Sequence, residues 1–138
     1  MKKYIILILA AILYSCSSTK IIELTALSQT PCKDVTLIKN PKAFIDTVES
    51  LKAFQKGNNI VASMEVKTLS SSRFSFDVER KGSHIKLKMK DISDKEGNYI
   101  GIMNVTASFK SFDTGSFRID VTDITGKKIL ASTEVEVK

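Results

Sequence analysis

The sequence predicts a mainly β domain, an antiparallel β-sandwich preceded by one N-terminal amphipathic helix. Three observations carry that reading. From Asn59 onward apolar residues recur at every second position, the period of a strand with one face inward. Turn-like residues interrupt this pattern at short intervals, as in sandwiches and meanders. Before it, Asn40-Pro41 opens a segment whose apolar residues fall at helical spacing. A helix lying on a curved antiparallel meander, an α+β arrangement, suits the same element order, and the sandwich is favoured.

In chain order, residues 1–15 read as a signal peptide. Lys2 and Lys3 give a positive start, Ile5 to Leu13 an uninterrupted apolar run, and Ser15 a small residue at its end. A membrane-spanning helix needs about 20 apolar residues, roughly twice this run. Leu13-Tyr14-Ser15-Cys16 resembles the lipobox of bacterial lipoproteins, with Leu three before the cysteine and a small residue just before it. Tyr14 stands where that family usually has a small or β-branched residue. The resemblance implies that Cys16 is the lipidation site and the first residue of the mature chain. It also implies a partner, the membrane, held through acyl chains on Cys16. One chain alone holds marginally, at about 0.8 kcal/mol per buried methylene, whereas two or three make anchoring effectively permanent. Ser17 rather than Asp follows the cysteine, which by resemblance to the proteobacterial sorting rule implies the outer membrane. No acidic cluster follows Cys16, so the surface-export signal known in Bacteroidota is missing and the domain is expected to face the periplasm.

Residues 16–31 read as the lipidated cysteine and a tether, with Ile21, Ile22, Leu24 and Leu27 apolar enough for a first strand. Residues 32–138 read as a single β-rich domain. Val35, Leu37 and Ile38 suggest a short strand. Asn40 is then a good N-cap, Pro41 suits the first helical position, and Phe44, Val48 and Leu51 with Ile45 form one stripe. Asp46 and Glu49 lie early, Lys52 and Lys56 late, and Gly57 suits the residue past the end. The expected helix covers about residues 42–55.

The expected strands have inward faces of Ile60, Ala62, Met64 and Val66; then Phe74, Phe76 and Val78; then Ile85, Leu87 and Met89. Tyr99, Met103, Val105, Ala107 and Phe109 follow, then Phe117, Ile119 and Val121, and finally Ala131, Thr133, Val135 and Val137. The breaks are Ser70-Ser71-Ser72, Gly82-Ser83, residues 94–98, Asp113-Thr114-Gly115 and Thr125-Gly126. Between them, Phe74-Ser75-Phe76-Asp77-Val78 and Gly115-Ser116-Phe117-Arg118-Ile119-Asp120-Val121 resemble small extracellular bacterial β-sandwiches of the immunoglobulin or jelly-roll kind.

Composition narrows the function classes. The chain has 21 basic and 15 acidic residues, and removing Lys2 and Lys3 leaves the remainder only mildly basic. There is no tryptophan, and an exported chain without interleaved exposed aromatics does not favour nucleic acid. With Cys16 lipidated, Cys32 has no partner in the chain; it reads as a buried small hydrophobe, with an intermolecular bridge as the alternative.

No catalytic residue is expected. His84 is the sole histidine, no G-x-S-x-G occurs, and an imidazole metal site lacks companions. Asp91, Asp94 and Glu96 gather oxygen ligands before Gly97-Asn98, but not at calcium-loop spacing, and read as an acidic turn. No metal or cofactor is expected.

Lys86, Lys88 and Lys90 project from one face of a strand and form a candidate contact for a partner or an anionic surface. The competing, favoured reading makes them guards of an edge strand. Asp46-Thr47-Val48 resembles the O-glycosylation acceptor of Bacteroidota, and Asn104-Val105-Thr106 is a sequon. Together these features describe a small, membrane-anchored, non-enzymatic binding or accessory module of the cell envelope, with an envelope protein as candidate partner. A carrier of lipid or another hydrophobic ligand, its helix lidding a curved sheet, is the alternative.

Overall fold

The computed structural model describes residues 19–41, 44–94, 97–111 and 113–138, and these fold as a mainly β, two-sheet sandwich. Among the described residues ten strands occur: β1 (Lys20–Ile22), β2 (Leu24–Gln29), β3 (Lys33–Leu37), β4 (Thr47–Lys56), β5 (Asn59–Leu69), β6 (Phe74–Lys81), β7 (His84–Asp91), β8 (Tyr99–Lys110), β9 (Gly115–Thr122) and β10 (Ile129–Val137). The first sheet has the order β1-β6-β7-β9-β10, and the second β2-β8-β5-β4, with β3 also on β8. The stretch 16–31, expected to be a tether with a first strand, already contributes β1 to one sheet and β2 to the other.

Alternation decides which side chains meet. Phe74, Phe76, Val78, Ile85, Leu87, Met89, Phe117, Ile119 and Val121 point inward from the first sheet. Ile60, Ala62, Met64, Val66, Met103, Val105, Ala107 and Phe109 face them from the second, and all are buried. Each fully buried large apolar side chain contributes roughly 1.5–3 kcal/mol. Tyr99 differs: at the outer end of β8 it is half-exposed.

One strand pair departs from the antiparallel expectation. β7 and β9 run parallel, with Leu87 opposite Val121. Between them the chain crosses to the second sheet and returns along it as β8, so it re-enters the first sheet in its former direction. Hairpins join other neighbours through two-residue turns, Gly57-Asn58 between Lys56 and Asn59, and Gly82-Ser83 between Lys81 and His84. Both glycines have positive φ, 59° and 61°, at the first central position, where a type II′ turn requires it.

The expected helix is not formed. Residues 47–55 belong to β4, which pairs along its length with β5; Lys42 and Ala43 lie outside the described residues. What remains of the helix signal is one turn, in which the Phe44 N–H donates to Pro41 O at 3.3 Å. The physical reason is a β-bulge. Val48 pairs with Val66, but Ser50 pairs with Glu65, so one extra residue enters at Glu49. Val48 and Leu51 therefore both face the core at a spacing of three, which imitates a helical stripe. Gly57, suited to a helix end, supplies the hairpin's positive φ instead. The same strand removes the helix on which both the meander alternative and the lidded carrier depended.

Two glutamines tie the sheets together at opposite margins. Gln55, near the end of β4, accepts from Lys138 N–H at 2.9 Å and donates to Lys138 O at 3.2 Å. Gln29, closing β2, accepts from Phe74 N–H at 2.9 Å and donates to Ser72 O at 3.2 Å. Each side-chain amide behaves like an extra peptide unit added to the facing strand. At Gly101 the start of β3 comes so close that an added Cβ would lie 2.6 Å from Lys33 O and 2.8 Å from Cys32 Cβ. Cys32 is half-buried there, packed against the core, and burial pushes its thiol pKa up.

Candidate functional site

The outer face of the first sheet holds the densest polar chemistry. On β9 the residues that alternate with Phe117, Ile119 and Val121 are Arg118, Asp120 and Thr122. β7 presents His84, Lys86, Lys88 and Lys90 on the same face, in register so that Lys86 lies beside Asp120. β10 brings Ser132 to the other side of Asp120.

Asp120 is only 1% exposed, yet both its carboxylate oxygens are engaged. Oδ1 accepts from Ser132 Oγ at 2.5 Å and from Arg118 Nε at 3.1 Å, while Oδ2 meets His84 Nε2 at 2.5 Å. Burial opposes ionisation, but these three hydrogen bonds and the charge attraction of His84 outweigh it and hold the carboxyl below the usual carboxylate range. Serine, histidine and aspartate therefore meet, but in the wrong order for nucleophilic catalysis. The serine hydroxyl donates to the carboxylate rather than to the imidazole, so the Ser–His contact of a nucleophilic triad is not made. The cluster acts as a polar clamp across β7, β9 and β10. His84, the sole histidine, is one of its jaws.

The lysine stripe does not have the place that the edge-guard reading required. β7 is an interior strand with β6 on one side and β9 on the other, so it guards no edge. Glu79 and Asp77 of β6 stand directly opposite Lys86 and Lys88, and Asp120 flanks Lys86 from β9. Lys88 Nζ meets Glu79 Oε1 at 2.7 Å. The β9–β10 turn rests on the stems, since a Cβ on Gly126 would lie 2.8 Å from Lys88 Cε and 3.4 Å from Lys86 Cδ. Lys86, Lys88 and Lys90 are all half-buried. Opposite charges across strands contribute about 0.2–1 kcal/mol each, so the stripe strengthens the sheet.

A groove of about 420 Å³ opens at the end of the sandwich where β7 stops and β4 starts. It is lined by Phe44, Ile45 and Asp46 ahead of β4, by Met89, Lys90 and Asp91 at the end of β7, and by Asp123, Ile124, Lys128 and Leu130 from the turn between β9 and β10 and the start of β10. Ile45 and Ile124 are 68% and 59% exposed, an unusual placement for two large aliphatic residues at one opening. Neither was singled out by periodicity as a binding residue, because their proximity depends on two loops distant in sequence.

The acidic turn folds on itself. Asp91 Oδ1 accepts from Ser93 N–H at 2.9 Å, Ser93 Oγ at 2.6 Å and Arg73 N–H at 3.3 Å. Glu96 lies outside the described residues, and among those described no group of three or more His, Cys, Asp and Glu side chains is placed to hold a metal. Thr47 is exposed at the start of β4, its hydroxyl donating to Glu49 Oε1 at 2.8 Å; Asn104 is half-buried within β8. Cys16 lies outside the described residues, and among those described no helix is long and apolar enough to cross a membrane. No protein-family model, curated protein or solved structure matches the chain.

Proposed function

We propose that the chain is a lipoprotein of the cell envelope, anchored through Cys16 and directed to the outer membrane facing the periplasm. Its sandwich serves as a non-enzymatic binding or accessory module of the immunoglobulin or jelly-roll type. The lipobox Leu13-Tyr14-Ser15-Cys16 carries this reading. The packed interior supports a module over a carrier, because inward side chains of both sheets fill the space that a hydrophobic ligand would need. Its contact with an envelope protein is assigned to the groove at the β7–β4 end of the sandwich, where Ile45 and Ile124 offer an apolar anchor among charged residues that include Asp46 and Lys128.

Cys16→Ser is expected to abolish metabolic fatty-acid labelling and to move the protein out of the membrane fraction. Labelling that persists in the variant overturns the lipoprotein reading. Photo-crosslinking side chains at Ile45 and Ile124 should then trap one envelope partner that the same probe at Lys67, on the outer face of the second sheet, does not. Equal trapping from all three positions would remove the groove from the reading.

A further inference from the structure

The five loops and termini at one end of the sandwich share a chemistry that no stretch of sequence displays. Lys20 opens β1, Lys56 closes β4, Lys81 closes β6, Lys110 closes β8, and Lys138 follows β10. The registers bring all five to the same end. Lys20 lies opposite Arg80 beside Lys81, Asn59 joins Lys56 to Lys110, and Val137 lies opposite Gly115, where β9 begins. Every one of these lysines is exposed.

Acid is scarce there. Asp113 is held by Arg80 at 2.6 Å, Glu79 near Lys81 is held by Lys88 at 2.7 Å, and Glu136 stands one residue in from the end of β10. At the opposite end Asp46, Asp94 and Asp123 are interspersed with Arg73, Lys127 and Lys128, so the charge is mixed.

The chain enters the domain at this basic rim. Thr19 stands beside Lys81, His84 and Lys86, and only three peptide steps separate it from Cys16. Fully extended, three steps reach at most about 11 Å. With an acylated Cys16 at the bilayer surface, Thr19 at the rim stays within about 11 Å of the headgroup layer, little more than one Debye length of roughly 8 Å at physiological salt. We propose that this lysine rim is a seat for anionic phospholipid headgroups, holding the sandwich end-on against its own membrane and presenting the far-end groove away from it. This rests on the lipidation of Cys16. It replaces the half-buried stripe of β7 by an exposed rim as the anionic contact.

The test uses the full chain purified from host membranes and reconstituted in vesicles, with Cys32→Ser as background. Fluorophores are placed at Asn58→Cys or Ser83→Cys on the rim and at Asp94→Cys on the far end, with quenchers on lipid headgroups. Rim labels should be quenched and the far-end label not. Because a short tether alone would hold the rim close, a second form carries an insertion of about 20 Gly/Ser residues after Ser18, with a reach of about 25 Å.

On vesicles with about one third phosphatidylglycerol the extended form should stay seated. On phosphatidylcholine alone, or at about 1 M salt, it should come away. Changing Lys20, Lys56 and Lys81 to Gln should lower its seated-to-free ratio by about 100-fold. A lipidated protein whose rim labels are quenched no more than its far-end label overturns the seat and leaves the anchor intact. Equal seating of the extended form on both vesicle types overturns the role of charge. Mass spectrometry that finds no acyl group on Cys16 overturns the anchor and the seat together.

Discussion

β8 and β4 belong to the same sheet and differ by two residues in length, yet one is plain in the sequence and the other is disguised. β8 has β5 along one side and β2 then β3 along the other, and its pairing with β5 runs from Asn59↔Lys110 to Leu69↔Ile100 without a shift. β4 has β5 on one side and a bulge at Glu49. A strand paired on both sides has little freedom to insert a residue, so its period of two survives in the sequence. An outer strand can kink and shift phase, and its apolar spacing then resembles a helix. Regular periodicity is therefore a readout of two-sided pairing as much as of strand structure.

Four substitutions break or sharpen that contrast. The largest effect is expected at Phe109→Ala, which empties a fully buried site on β8 and should cost about 3–5 kcal/mol in chemical denaturation. A loss below about 1 kcal/mol would mean that β8 is not the spine of the second sheet.

Asp120→Asn extends the comparison to β9, an interior strand of the first sheet. It removes a charge that Ser132, Arg118 and His84 all address, and about 1–3 kcal/mol should be lost at neutral pH. The sign of its pH dependence follows from the depressed folded pKa. The carboxylate's contribution is full above the unfolded value, about 3.9, and is lost as pH falls through the lower folded value. The gap between wild type and variant should therefore close in acid. A gap that is unchanged to pH 2 would show that shape, not charge, holds the clamp.

On β4, Leu51→Ala should cost only about 1–2 kcal/mol, because Leu51 is half-buried and packs from the margin of the core. Equality with Phe109→Ala would erase the distinction between the two strands. The smallest effect has the most telling sign. Lys52 is exposed on β4, and Thr is a better strand former but a poorer helix former than Lys. Lys52→Thr should be neutral or stabilising by a few tenths of a kcal/mol; a loss of about 0.5 kcal/mol would return residues 47–55 to a helix.

The lysine stripe shows the same boundary in the site. Period two correctly puts Lys86, Lys88 and Lys90 on one face, but a face is not an environment. Whether that face is an exposed edge or the half-covered centre of a sheet depends on which strands lie beside β7. Its flanking carboxylates come from β6 and β9, and the turn over it comes from residues 123–128. Asp120 was visible only as one of the two polar members of Arg118-Ile119-Asp120-Val121, and nothing local indicates that three strands converge on it.

Local alternation by itself determined the inward faces of β5 to β9, because the side-chain direction in a strand depends only on residue parity. Turn chemistry located most breaks for an equally local reason, since Gly57 and Gly82 relieve a steric cost that exists in any chain. Tertiary structure alone decided the rest: the bulged strand in place of a helix, the interior position of β7, the parallel β7–β9 pair, the burial of Asp120 and the gathering of five distant lysines at one rim. Each depends on which segments become neighbours, and that is set by the free energy of closing both sheets over one core rather than by any window of the sequence.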